Sequence, residues 1–144
     1  MKLIKLFAAS SAAMLLAACA QTAAPKAEKA EKAAAPTITD KTVVYQCGKQ
    51  KVTATYQFEN QEPTAAMVMI GNKVVAKDFV RDAAQKDFTA FTSGDYVLNV
   101  DSGLVLNRFN TTDLVNLTQK GKSADKILAK NCQISLKGTA KANR

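Results

Sequence analysis

The sequence predicts an all-β domain: a small antiparallel eight-stranded β-barrel with one disulfide, preceded by a lipoprotein signal and a flexible tether. Three observations carry that prediction. Apolar and polar residues alternate with period two after residue 41, turn-forming pairs recur about every ten residues, and Cys47 and Cys132 stand near the two ends of the alternating region.

The elements follow in order. Val43, Tyr45 and Cys47 make the inward face of a first strand, and residues 48–50 make a short turn. Val52, Ala54, Tyr56 and Phe58 then alternate with Lys51, Thr53, Thr55 and Gln57, which is the pattern of a half-buried strand. Residues 67–70 and 73–77 flank Gly71-Asn72, a pair suited to a tight hairpin because glycine takes positive φ without a steric penalty. Residues 78–86 are rich in Ala and charge and read at most as one helical turn. Residues 88–92 and 95–100 flank Ser93-Gly94, and Asp101-Ser102-Gly103 leads into a further strand at residues 104–109. Residues 114–119, a solvated loop at 120–126, and a last strand at 127–136 with Cys132, Ile134 and Leu136 on one face complete about eight strands. Closure of such a set into a barrel removes exposed edges. An interior of this size fills with side chains, so a partner is expected on loops or an outer face and not in an internal cavity.

Composition limits the chemistry. A chain of 144 residues has room for one small domain. It contains no His and no Trp, which removes Ser-His-Asp and Cys-His catalysis, His metal sites and the commonest base near neutral pH. Asp78 with Asp82, and Asp82 with Asp87, are the carboxylate pairs, but they sit among Lys77, Arg81 and Lys86 and read as a solvated charged loop. No phosphate loop, metal spacing or nucleophile elbow is present, so no catalytic residue, no metal and no cofactor is expected. The formal charge of +8 falls to +5 from residue 37 onward, and signs alternate along the chain, a pattern that argues against nucleic acid as a partner.

Residues 1–18 read as a bacterial lipoprotein signal. Lys2 and Lys5 make the charged start, and residues 6–16 are apolar but too short to span a bilayer. Leu16-Ala17-Ala18-Cys19 places an aliphatic and two small residues before cysteine, the pattern a lipoprotein signal peptidase cuts, so the thiol of Cys19 is expected to carry lipid. A plain secretory signal with Cys19 as a free thiol is the alternative. Each buried acyl methylene contributes about 0.8 kcal/mol, so several chains anchor a domain that does not span. Ala20 stands where an inner-membrane retention signal usually has Asp, which favours the outer membrane, facing either the periplasm or the cell surface. Residues 19–40 are mostly Ala, Lys, Glu and Pro and cannot offset their ordering entropy by burial, so they read as a tether. The barrel is assigned to residues 41–137 and a flexible tail to 138–144.

With Cys19 lipidated, Cys47 and Cys132 remain as an even pair in an exported chain, and a disulfide follows. Two buried free thiols are the alternative. Closing so long a loop removes about 4 to 5 kcal/mol of entropy from the unfolded chain. The spacing matches neither a metal site nor CxxC chemistry, so the pair is structural.

Two stretches carry a family resemblance. Tyr45-Gln46-Cys47, a short basic turn, and residues 52–58 resemble the opening of the membrane-bound inhibitors of c-type lysozyme and, more closely, of the adhesin complex proteins of Gram-negative pathogens. Ser93-Gly94-Asp95-Tyr96 looks like their Gly/Ser-rich loop ending in Tyr, and Lys130-Asn131-Cys132 like their closing cysteine. The likeness covers about residues 42–135. It implies an eight-stranded barrel bridged by Cys47 and Cys132, and inhibition of host lysozyme by a loop inserted into the enzyme's cleft. In those inhibitors a Ser in a Ser-Gly-x-x-Tyr pattern supplies a hydroxyl and a later Lys a cation. Here Ser93 and Gly94 fit the first, with Tyr96 one residue early, and Arg108 is the nearest later cation. Arg forks where Lys points, so the fit is incomplete.

The expected function is therefore an outer-membrane lipoprotein that inhibits c-type lysozyme through Ser93, Gly94, Asp95, Tyr96 and Arg108, held to the membrane at Cys19 and not an enzyme. The alternative is a surface adhesin or envelope-interaction module that binds host cells or another outer-membrane protein. Whether the barrel forms a homodimer is left open by the sequence.

Overall fold

Eight strands follow one another in chain order: β1 (Ile38–Cys47), β2 (Gln50–Glu59), β3 (Glu62–Ile70), β4 (Lys73–Arg81), β5 (Thr89–Ser93), β6 (Tyr96–Val100), β7 (Leu114–Gln119) and β8 (Lys126–Ile134). Each pairs antiparallel with the next, and β8 returns to β1, so the sheet closes into a barrel. This computed structural model describes residues 34–144; the expected signal at residues 1–18, the expected lipidation at Cys19 and the stretch assigned to the tether up to residue 33 lie outside the described residues. No helix among the described residues is long and apolar enough to cross a membrane.

The alternation read from the sequence is the alternation of the wall. Val52, Ala54, Tyr56 and Phe58 on β2, and Val43 and Tyr45 on β1, are fully buried and meet Phe79, Phe91, Leu98, Leu114 and Leu117 from the other strands. The β1–β2 ladder runs unbroken from Ile38 opposite Glu59 to Cys47 opposite Gln50. The turn beyond it is tight because Gly48 takes φ +63°, a region other residues adopt only with strain. Asn60 plays the same part between β2 and β3 at φ 58°, which Asn tolerates better than most side chains.

Two buried tyrosines meet inside the barrel. The Tyr45 and Tyr56 hydroxyls lie 3.0 Å apart in a hydrogen bond, and the Tyr56 ring packs on Phe91 with centroids 5.6 Å apart. Burial pushes both phenols well above their ordinary range; at Tyr45 the neighbouring Tyr56 adds to the rise, and at Tyr56 the bond to Tyr45 partly offsets it.

Four features differ from the sequence reading. Residues 104–109 are not a strand: the apolar spacing breaks between Leu106 and Phe109, Leu106–Arg108 form one 3-10 turn, and the Leu106 N–H donates to Gln61 O at 3.0 Å. Leu104 is buried there, with Leu106 and Phe109 packed behind it, so the segment plugs one end of the barrel. Residues 78–86 form no helical turn. β4 continues to Arg81 because Phe79 is an inward residue, and Asp82 then accepts from the Ala84 N–H at 3.0 Å to make a turn. β1 starts at Ile38, inside the stretch assigned to the tether. Finally, Leu136–Ala142 form a helix, α1, where a strand end at Leu136 and a flexible tail were expected. Ser135 caps it by accepting from the Gly138 N–H, and Leu136 is left exposed.

That helix covers an edge. β8 pairs with β1 only at Tyr45–Ile134 and Gln46–Gln133, so the earlier part of β1 has no strand on that side. Side chains of α1 and its end take the missing strand's place. The Val44 N–H donates to Thr139 Oγ1 at 3.0 Å and the Thr42 N–H to Asn143 Oδ1 at 2.9 Å, while Asn143 Nδ2 donates back to Thr42 O at 2.6 Å. Gly138 lets the helix come close: a Cβ there would meet Val44 Cγ1 at 3.0 Å.

Asn143→Ala is expected to cost about 1–3 kcal/mol in urea unfolding, because it orphans both backbone groups of Thr42 on an unpaired edge. A free tyrosine titrates near pH 10, and the native pair holds its protons to higher pH. Stability is thus fully present below about pH 10 and falls above it by up to about 1.4 kcal/mol per pH unit for each tyrosine. Circular dichroism at about pH 11 should show less loss of structure in the Tyr45→Phe, Tyr56→Phe double variant than in the parent.

Candidate functional site

Strand direction sorts the connections between two ends. Turns at residues 48–49, 71–72 and 94–95 and the loop at 120–125 lie at one end, called here the turn end. Residues 60–61, 82–88 and 101–113 lie at the other, the plug end. The candidate loop belongs to the turn end: β5 finishes at Ser93, Gly94 takes φ +53°, and Tyr96 opens β6 directly opposite Ser93 in the ladder.

Each of these residues is held. Ser93 Oγ donates to Asp78 Oδ1 on β4 at 2.6 Å. That bond bridges the β4–β5 seam, where only Val80–Thr92 and Arg81–Phe91 pair. Asp95 O accepts from the Lys120 N–H at 2.7 Å, which ties the turn to the end of β7. Tyr96 is half-buried against the core. A cavity of about 340 Å³ opens beside it, with Lys73 and Lys126 among its lining residues.

Arg108 is not with them. It lies in the plug-end connection, where the Asn107 N–H donates to Gln61 Oε1 at 3.3 Å and the Arg108 guanidinium lies beside Gly103. Ser93, Gly94, Asp95 and Tyr96 therefore form one constellation, and Arg108 belongs to the opposite end. Lys49, Lys120 and Lys122 also lie at the turn end, but the cations that line the cavity beside Tyr96 are Lys73, at the start of β4, and Lys126, at the start of β8. Both were missed in the sequence, although each directly follows a turn whose end of the barrel is fixed once the strands are counted correctly.

The other candidates resolve in the same way. Asp78 is engaged by Ser93 and Asp82 by its own turn, so the two carboxylates serve separate local roles. Arg81 Nη1 donates to Ala90 O at 2.9 Å and also to Asp82 O, with its guanidinium 5.9 Å from the Phe91 ring centre. Cys47 and Cys132 are joined, with their Cα atoms 4.2 Å apart, on the β8–β1 seam. Among the described residues no group of three or more His, Cys, Asp or Glu could hold a metal.

Comparison with known proteins places this geometry in a family. A family model described as Nm-ACP, an ACP-like domain, matches residues 41–134, which span all but the first residues of β1 through the end of β8. A curated protein of Haemophilus influenzae, described as an uncharacterized protein, is 58% identical over 147 residues and covers 99% of each chain. No solved structure matches.

The Ser93–Asp78 bond is exposed, so its removal should cost little. Ser93→Ala and Asp78→Ala are each expected to lower stability by about 0.5–1.5 kcal/mol in urea unfolding, with a double variant well short of the sum.

Proposed function

The chain belongs to the ACP-like domain family, and from that premise we propose that it is an envelope lipoprotein that inhibits c-type lysozyme by seating the turn at residues 93–96 in the enzyme's cleft. In this reading the lipid sits on Cys19, the membrane is the outer membrane, and the domain acts by occlusion and not by chemistry. The observation that carries the reading is the state of the Ser93 hydroxyl. Its proton is committed to Asp78, so what it offers outward is a lone pair on a fixed turn.

The lysozyme cleft supplies a matching group. It holds two carboxyls, one kept protonated near neutral pH by its apolar setting and one ionised. The protonated acid donates to Ser93 Oγ, and a lysine ammonium pairs with the carboxylate. Lys73 and Lys126 are the cations placed for this, since both line the cavity beside Tyr96 and Tyr96 faces Ser93 across the ladder. Gly94 leaves the tip bare: a Cβ built there would meet nothing within 4 Å, so a partner can approach the backbone closely. Asp78 and Asp95 beside the turn offset part of the repulsion between a basic domain and a basic enzyme.

Residues 34–144 are expected to slow c-type lysozyme on cell walls at micromolar concentration, and no inhibition at about tens of micromolar rejects the reading. Ser93→Ala should weaken inhibition by about tenfold, since it removes one hydrogen bond to a buried acid. Lys73→Ala with Lys126→Ala should weaken it further, whereas Arg108→Ala should leave it unchanged. Loss on Arg108→Ala with no effect at the two lysines would reverse the assignment of the cation.

A further inference from the structure

The cavity beside Tyr96 is built like a small-ligand site in its own right. Its volume of about 340 Å³ lies within the range of pockets that hold small organic molecules. Its floor is apolar: Ile70, Val75 and Leu128 line it and are at the same time packed on the barrel core. The polar residues in its lining are Lys73, Lys126, Gln119 and Tyr96, and no Asp or Glu is among them. Lys73 and Lys126 are exposed, while Ile70, Val75 and Leu128 are half-buried.

We propose that this mouth is a binding site for an amphipathic carboxylate, a small molecule with one anionic head and an apolar body about the length of a medium-chain acyl group. The apolar body lies on Ile70, Val75 and Leu128, where it covers surface that otherwise faces water. The head sits between Lys73 and Lys126, and the phenol and amide donate to its oxygens. Charge selects the class. A cationic amphiphile of the same length meets two ammoniums, and a neutral one leaves them without a counter-ion. A cavity at the plug end lined by Arg81 and Lys86 lacks this division, because Arg81 there already donates to Ala90 O and Asp82 O and the lining includes Glu62.

The site shares Tyr96 and the two lysines with the lysozyme reading but does not rest on it, and its test contains no lysozyme. The full chain is titrated by NMR with dodecanoate and dodecyltrimethylammonium, each below its micelle concentration, and with dodecanol below its solubility limit. Dodecanoate is expected to bind, with the amide shifts of residues 70–75, 96, 119 and 126–128 moving together, and the other two amphiphiles to bind at least about tenfold more weakly. Lys73→Ser with Lys126→Ser should lower dodecanoate affinity by about tenfold and leave the spectrum of the core unchanged, because both side chains are exposed. Val75→Glu puts an anion in the floor and should abolish binding; should that variant misfold, the lysine pair carries the test. Equal binding of the three amphiphiles, shifts centred on another face, or dodecanoate affinity indifferent to the two lysines each overturns the proposal.

Discussion

The ring is closed at one covalent point, and the rest of the molecule is arranged around how little else closes it. Strands β1 to β4 are nine or ten residues long and form one broad sheet, while β5 and β6 are five residues each. The two halves meet along two seams, and each seam has only two residue pairs in register. On one of them Cys47 and Cys132 supply the bond that so short a ladder does not. On the other, Ser93 and Asp78 make the link, assisted by Arg81 reaching across to Ala90. A closed sheet needs every edge matched, so the weak seams are where side chains take over from backbone.

That division explains the core as well. Both halves present period-two faces, so aromatic rings from β2, β4 and β5 interleave and leave no room for a central ligand. A hydroxyl pair replaces what would otherwise be two unpaired polar groups in that interior, which is tolerable only because each satisfies the other. The plug at Leu104 and Phe109 shuts one end against water, and the other end stays open around Tyr96.

Much of the fold was legible because the physics that shapes it is local. Alternation in β1 and β2, the Gly48, Gly71 and Gly94 turns, and the paired cysteines each leave a mark within a few residues. What was not legible depends on distant partners. Leu104, Leu106 and Phe109 look like another strand, and bonds to the carbonyl and side chain of Gln61, about 45 residues earlier in the chain, help to fix them as a turn. That one misreading matters for the site. Counted as a strand, residues 104–109 carry Arg108 back toward Ser93; as a plug they leave it at the far end, and the same count brings Lys73 and Lys126 to the turn. The candidate loop itself was readable from Ser93-Gly94 and Tyr96, but its hydrogen-bond partner Asp78 was not, since nothing in the spacing of a charged stretch signals a contact across 15 residues. Residues 136–142 hid for a similar reason: a short helix of Ala, Lys and Gly looks like a tail until its Thr139 and the following Asn143 find the edge of β1.

The clasp between Asn143 and Thr42 joins positions 101 residues apart. A chain made from its N-terminus onward has β1 long before the groups that finish it. During that interval the strand is a half-made template, and its early part has no native neighbour on one side. Synthesis in that order favours a chain that stays loose until its last residues are free, when the final helix covers the edge of β1.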